Sequence, residues 1–107
     1  MATVHEVNDG NFQSTVGASD KLFLVDFWAA WCGPCKALNP VMDSLAEEMS
    51  DVLEVGKVDT EASIQTASTY MVRQLPTLIL FKDGVPVDQL TGGVSKDRIV
   101  GMIEKHR

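Results

Sequence analysis

Metal and haem chemistry have little to work with in this chain. It holds two cysteines and two histidines, and the histidines, His5 and His106, stand near opposite ends. A structural zinc site normally takes four protein ligands. Covalent haem attachment wants Cys-x-x-Cys-His, and Lys36 fills the place of that histidine. Positive charge is also short. Nine Lys and Arg against fifteen Asp and Glu give a net charge of −6, which is not the footprint of a nucleic-acid binder. No apolar run approaches the roughly 20 residues a membrane-spanning helix needs. The first residues, Met-Ala-Thr-Val-His-Glu, lack a basic region followed by an apolar one, so no secretory signal is expected. Two cysteines without an export signal point to a reducing compartment, hence the cytoplasm, and to transient disulfides. Internal repeats, low-complexity segments and linkers are missing too. The 107 residues suit one core, so a single domain over 1–107 is expected.

What the chain does have is concentrated between Leu22 and Met49. An apolar run, Leu22 to Ala29, reads as a strand buried on both faces. Trp31-Cys32-Gly33-Pro34-Cys35-Lys36 follows, and then an apolar stripe at helical spacing: Leu38, Val41, Met42, Leu45, Ala46 and Met49. Strand, Cys-x-x-Cys and helix in that order make a reactive dithiol. The first N–H groups of a helix lack partners and carry partial positive charge, so a thiolate is stabilised there. Pro34 suits the first helical position, because its missing N–H would have been unpaired anyway. Cys32 is then the nucleophile, and Cys35, about one turn on, can reach back to its sulfur. A purely structural disulfide across so short a loop would remove little unfolded-chain entropy. Pro40 falls inside the helix and should kink it.

Asp26 interrupts the buried strand six residues before Cys32. Burial penalises the carboxylate, so its pKa should be raised. It could lie beneath the dithiol and accept the Cys35 proton during exchange, or it could be a structural acid satisfied by a partner. Lys57 shares the parity of Leu53 and Val55 on a second strand, Leu53 to Val58. It is either a tuner of Asp26 or a strand-end lysine whose ammonium snorkels to water.

The remaining chain reads as connected elements. Thr3 to Val7 suggests a short edge strand. Asn8 or Asp9 can cap a helix over Gly10 to Val16, with Phe12 and Val16 on one face. Asp59 or Thr60 can cap a short helix around Ile64 to Tyr70, with Ile64 and Ala67 inward and Tyr70 and Val72 packing. Thr77 to Phe81 is a strong strand, Asp83-Gly84 a hairpin turn, and Pro86 marks the return strand Val85 to Leu90 as an edge. Gly92-Gly93 ends it and allows close backbone approach. Ser95 caps a last helix that buries Ile99, Met102 and Ile103, with Lys105, His106 and Arg107 at its negative end. His5 and His106 are expected at the surface, outside any site. The order β-α-β-α-β-α-β-β-α implies an α/β domain with helices on both faces of a mixed sheet.

Val25-Asp26-Phe27-Trp28-Ala29-Ala30-Trp31-Cys32-Gly33-Pro34-Cys35-Lys36 strongly resembles the thioredoxin family. Pro40, Lys57-Val58-Asp59, Pro76-Thr77, Phe81-Lys82-Asp83-Gly84 and Gly92 extend the resemblance over almost the whole chain. It implies a central mixed five-stranded sheet flanked by four helices. It implies a cis Leu75–Pro76 bond facing the dithiol, a substrate groove lined by Trp31, Gly33, Pro34, Leu75, Pro76, Gly92 and Gly93, and the roles suggested above for Asp26 and Lys57. Trp28 would pack beside the motif. The activity implied is reduction of disulfides in substrate proteins by a monomer that binds no cofactor or metal. Reducing equivalents would come from a thioredoxin reductase, linked to NADPH or to ferredoxin. The Gly-Pro pair resembles the reductases of this fold and not its oxidising or isomerising members. A non-enzymatic binding module on the same groove is the third alternative. Departures are few: Met71 stands where glycine is common, and Gln74 and Gly93 are less usual groove residues.

Overall fold

A computed structural model describes residues 3–107. Strands β1 (Val4–Val7), β2 (Leu22–Trp28), β3 (Leu53–Asp59), β4 (Thr77–Lys82) and β5 (Val85–Thr91) form one sheet in the order β1-β3-β2-β4-β5. β1 and β2 run parallel to β3, while β4 runs antiparallel to both β2 and β5. The helices are a short π-helix (Gln13–Gly17), α1 (Gly33–Glu48), α2 (Ile64–Thr69) and α3 (Lys96–His106). Element order, a mixed five-stranded sheet and four helices agree with the expectation. β1 and β5 are the edges, as the short Thr3–Val7 pattern and Pro86 suggested. Pro86 lies beside the irregularity in the β4–β5 register, where its missing N–H is tolerated.

The sheet has two dry faces because β2 alternates large apolar residues on both. Leu22, Leu24, Leu53, Val55, Leu78 and Leu80 pack beneath Leu38, Met42 and Leu45 of α1 and Ile99, Met102 and Ile103 of α3. Phe23, Val25, Phe27, Val58, Ile79 and Phe81 face Phe12, Val16 and Ala67 across the sheet. Tyr70 and Val72 pack against that second cluster, as expected. Each fully buried Phe or Leu contributes about 1.5–3 kcal/mol. Asp26 shares the parity of Leu22 and Leu24, so it belongs to the face covered by α1.

Turn chemistry fixes the connections. Asp83 (φ 53°) and Gly84 (φ 78°) both take positive φ, the geometry of a tight hairpin turn. A side chain at Gly84 would also strike the Gly17 carbonyl oxygen, 2.6 Å from where its Cβ would stand. Ser95 Oγ accepts from Arg98 N at 3.3 Å, the expected cap of α3.

Several local expectations need correction. The helix expected over Gly10 to Val16 is a π-helix over Gln13–Gly17, with Phe12 and Val16 still buried together. Asn8 does close the turn before it, accepting from Gly10 N and Asn11 N at 2.9 Å each. Asp9 caps a different helix. It accepts from Gln65 N (3.3 Å), Thr66 N (2.8 Å) and Thr66 Oγ1 (2.6 Å) at the start of α2. These bonds hold its pKa below the usual carboxylate range. Ser63, not Asp59 or Thr60, is the N-cap of α2, and Asp59 instead receives Glu61 N at 2.9 Å in the preceding turn. Ile64 is 68% exposed, so only Ala67 of that pair faces inward. His106 is half-buried and bonded to Asp88 Oδ2 at 3.0 Å, because α3 returns over β5. His5 is half-exposed beside Glu54, 3.4 Å away.

Candidate active site

Register places the site. Phe27 pairs with Thr77, Thr77 with Thr91, and Phe27 with Val58. Residues after Phe27, before Thr77 and after Thr91 therefore emerge at one end of the sheet. That end collects Trp28 to Cys35, Leu75-Pro76 and Gly92-Gly93. Two bonds from Thr60 to the Trp28 carbonyl, N at 3.0 Å and Oγ1 at 3.2 Å, tie the ends of β2 and β3 together there.

Cys32 leaves the strand through a turn in which its N–H donates to the Ala29 carbonyl at 3.1 Å. It is the N-cap of α1, with extended backbone (φ −91°, ψ 108°), and its Sγ accepts from Cys35 N at 3.2 Å. The sulfur occupies the place that a Ser or Asp oxygen fills in an ordinary cap. Gly33 is the first helical residue, so Pro34 is the second and not the first as expected; its missing N–H still costs no helical bond. Cys35 turns inward, and the two cysteines form a disulfide with Cα atoms 5.3 Å apart. Both are buried, while Trp31 (69% exposed), Gly33 and Pro34 form an open rim around them. The helix continues through Pro40 to Glu48.

Leu75–Pro76 is cis, as the family resemblance implied. Pro76 is buried and Leu75 half-buried. Gly92 N donates to the Pro76 carbonyl at 2.9 Å, which joins these two expected groove segments. Gly92 needs its positive φ of 81°. Among the described residues, a Cβ at Gly33, Gly92 or Gly93 would meet no atom beyond its chain neighbours within 4 Å, so the space above all three glycines is open. Met71 takes φ 55° and is 68% exposed, a left-handed position that explains why glycine is at home there.

Asp26 is fully buried, and neither carboxylate oxygen has a hydrogen-bond partner among the described residues. Burial pushes its pKa up from the usual 3.8 to about 7, against a smaller lowering pull from the Lys57 charge. Lys57 is its register neighbour on β3, and Leu78 stands opposite on β4. The lysine does not close an ion pair with Asp26. Its Nζ donates to Asn39 Oδ1 on α1 at 2.6 Å, a part-buried bond. Asn39 carries no sequence signal of this role, although it lies four residues after Cys35 and next to the buried Leu38. Among the described residues no group of three His, Cys, Asp or Glu is placed to hold a metal ion, and no helix is long and apolar enough to cross a membrane.

The family model for Thioredoxin matches residues 3–105. Among curated proteins, the chain is 42% identical over 106 residues to Thioredoxin 1 of Synechococcus elongatus, covering 99% of each. It is 42% identical to a thioredoxin of Staphylococcus epidermidis, again over 99% of both chains. Thioredoxin 2 of Chlorobaculum tepidum is 41% identical over 101 residues, 94% of this chain and 93% of that one.

Proposed function

The chain belongs to the thioredoxin family and is a thiol–disulfide oxidoreductase, and on that premise we propose which residues carry the exchange and in which direction it runs. The observation that supports this most is Cys32 Sγ at the cap of α1, receiving Cys35 N. A helix end that already donates to sulfur favours the thiolate once the disulfide is opened.

In the reduced protein, the Cys32 thiolate attacks one sulfur of a substrate disulfide. A Cys32–substrate disulfide forms, the substrate S–S bond breaks, and the departing thiolate takes a proton from water. Cys35 then passes its proton to Asp26 and attacks the Cys32 sulfur. The second substrate thiolate leaves, and the protein holds the Cys32–Cys35 disulfide. Two electrons have moved from protein to substrate. A reductase must supply two electrons to restore the dithiol. A thioredoxin reductase, disulfide-bearing proteins as substrates, a cytoplasmic setting, a monomer and one domain over 1–107 complete the reading. Lys57 tunes Asp26 through space. Trp31, Gly33, Pro34, Leu75, Pro76, Gly92 and Gly93 form the docking groove. The open space above the three glycines supports backbone-to-backbone approach by a substrate chain.

The test is a Cys35→Ser variant, reduced and mixed with a disulfide-bearing protein. It should accumulate a mixed disulfide through Cys32, which peptide mapping locates. Failure to trap any adduct while the wild type still reduces the substrate would reverse the roles of the two cysteines. A potential at or above the roughly −180 mV of isomerases would favour oxidation over reduction.

A further inference from the structure

Asn39 projects from α1 to the Lys57 ammonium, and the contact is short, 2.6 Å. The acceptor that would ordinarily claim that ammonium is the neighbouring carboxylate. Asp26 and Lys57 are direct register partners on β2 and β3. Yet they form no ion pair within 4.0 Å, and both Asp26 oxygens stay without a partner among the described residues. The lysine has been drawn to the helix and the carboxylate left alone.

We infer that Asn39 is a positioning residue: by holding the Lys57 ammonium at its own side-chain oxygen, it keeps that charge off Asp26 and keeps Asp26 basic enough to take a proton. The surroundings leave few other groups for this task. β3 presents Lys57 to Asp26, and β4 presents Leu78. Of the buried residues on α1, Cys35 is the one that titrates, and only when reduced. α3 buries Ile99, Met102 and Ile103, which carry no charge. The charge that Asp26 feels is therefore set by where one ammonium sits. A carboxylate with an opposite charge moved to within about 4 Å drops by roughly 1–3 in pKa. At that lower basicity Asp26 would be a poor acceptor for a thiol proton near neutral pH.

The inference deepens the proposed role of Asp26, and its test separates the two. The side-chain carboxyl carbon of Asp26 is followed by NMR from acid to alkaline pH in the oxidised protein. Asn39→Ala frees Lys57 to pair with Asp26, so the Asp26 midpoint should fall by about one pH unit or more. Asn39→Asp keeps an acceptor on Nζ and should leave the midpoint at or above the wild-type value. In a Lys57→Met background, adding Asn39→Ala should move nothing. An unchanged or raised midpoint in Asn39→Ala overturns the inference, and so does an equal fall with Lys57 already absent. The pH profile of mixed-disulfide resolution is then measured in the reduced Asn39→Ala protein. It should shift to lower pH in step with the midpoint. If the midpoint moves and the profile does not, the proton-accepting role of Asp26 fails while the positioning by Asn39 stands.

Discussion

Replacing Asp26 with Asn should make the protein markedly more stable at neutral to alkaline pH. The carboxylate is buried with no hydrogen-bond partner among the described residues, and burial raises its pKa from 3.8 to about 7. Each tenfold change in proton affinity corresponds to about 1.36 kcal/mol, so ionised Asp26 destabilises the fold by about 4 kcal/mol. The sign follows from proton binding. Between the two values the folded state holds a proton that the unfolded chain has lost, so stability declines as pH rises across that window. Well below the unfolded value of 3.8 both states are protonated and no penalty remains; well above the folded value of about 7 both are ionised and the penalty is complete. Asn has the same shape and cannot ionise. In acid, where Asp26 is itself a neutral group, the two proteins should differ by no more than about 1 kcal/mol. Near pH 8 the variant should lead by about 4 kcal/mol. Urea unfolding of the oxidised proteins at a series of pH values measures the difference without interference from free thiols. Parallel stability curves over that range would refute the reasoning, because they would mean that Asp26 is ionised at no cost or that it is neutral throughout. A group this costly invites a compensating use. The same variant should therefore slow release of the mixed disulfide near neutral pH while leaving the first attack almost unchanged.

Two further substitutions test the backbone reading. Met71→Gly removes a side chain from a left-handed position where it is 68% exposed. Relief of about 1–2 kcal/mol, less about 0.5–1 kcal/mol for glycine's entropy, should leave a modest net gain in urea midpoint; a loss would show that Met71 makes contacts worth more than its strain. Gly56→Ala would place a Cβ 2.8 Å from Val7 Cγ2 and 2.9 Å from Phe23 Cε1. It should cost about 1–3 kcal/mol by forcing β1 and its neighbours apart, and an unchanged thermal midpoint would mean that this packing is loose.

Most of the architecture is legible in the sequence because it is written locally. The run from Leu22 to Trp28, the stripe from Leu38 to Ala46 and the Asp83-Gly84 turn each specify their element within a few residues. The dithiol's placement at a strand-to-helix junction follows from Cys-Gly-Pro-Cys lying between the apolar run Leu22 to Ala29 and the helical stripe that starts at Leu38. What the sequence hides is set by contacts distant along the chain. Asp9 reaches 57 residues onward to cap α2 at Thr66, so local spacing points its side chain to the wrong helix. Asn39 meets Lys57 across 18 residues, and nothing local distinguishes it from an ordinary helix-surface asparagine. Spacing from Ala67 would turn Ile64 inward, but Ile64 opens a helix of only six residues, too short for periodicity to orient its first turn. The cis Leu75–Pro76 bond is implied by the family resemblance alone, since X–Pro bonds are cis only about 5–6% of the time.

Because it caps α1, Cys32 should be an unusually acidic thiol. Ultraviolet titration of the thiolate in reduced protein, with Cys35→Ser to isolate the signal, measures this directly. The midpoint should fall clearly below the value of about 8.5 for a free cysteine. A midpoint at or above that value would show that the helix end does not stabilise the Cys32 anion, contradicting the proposed origin of its reactivity.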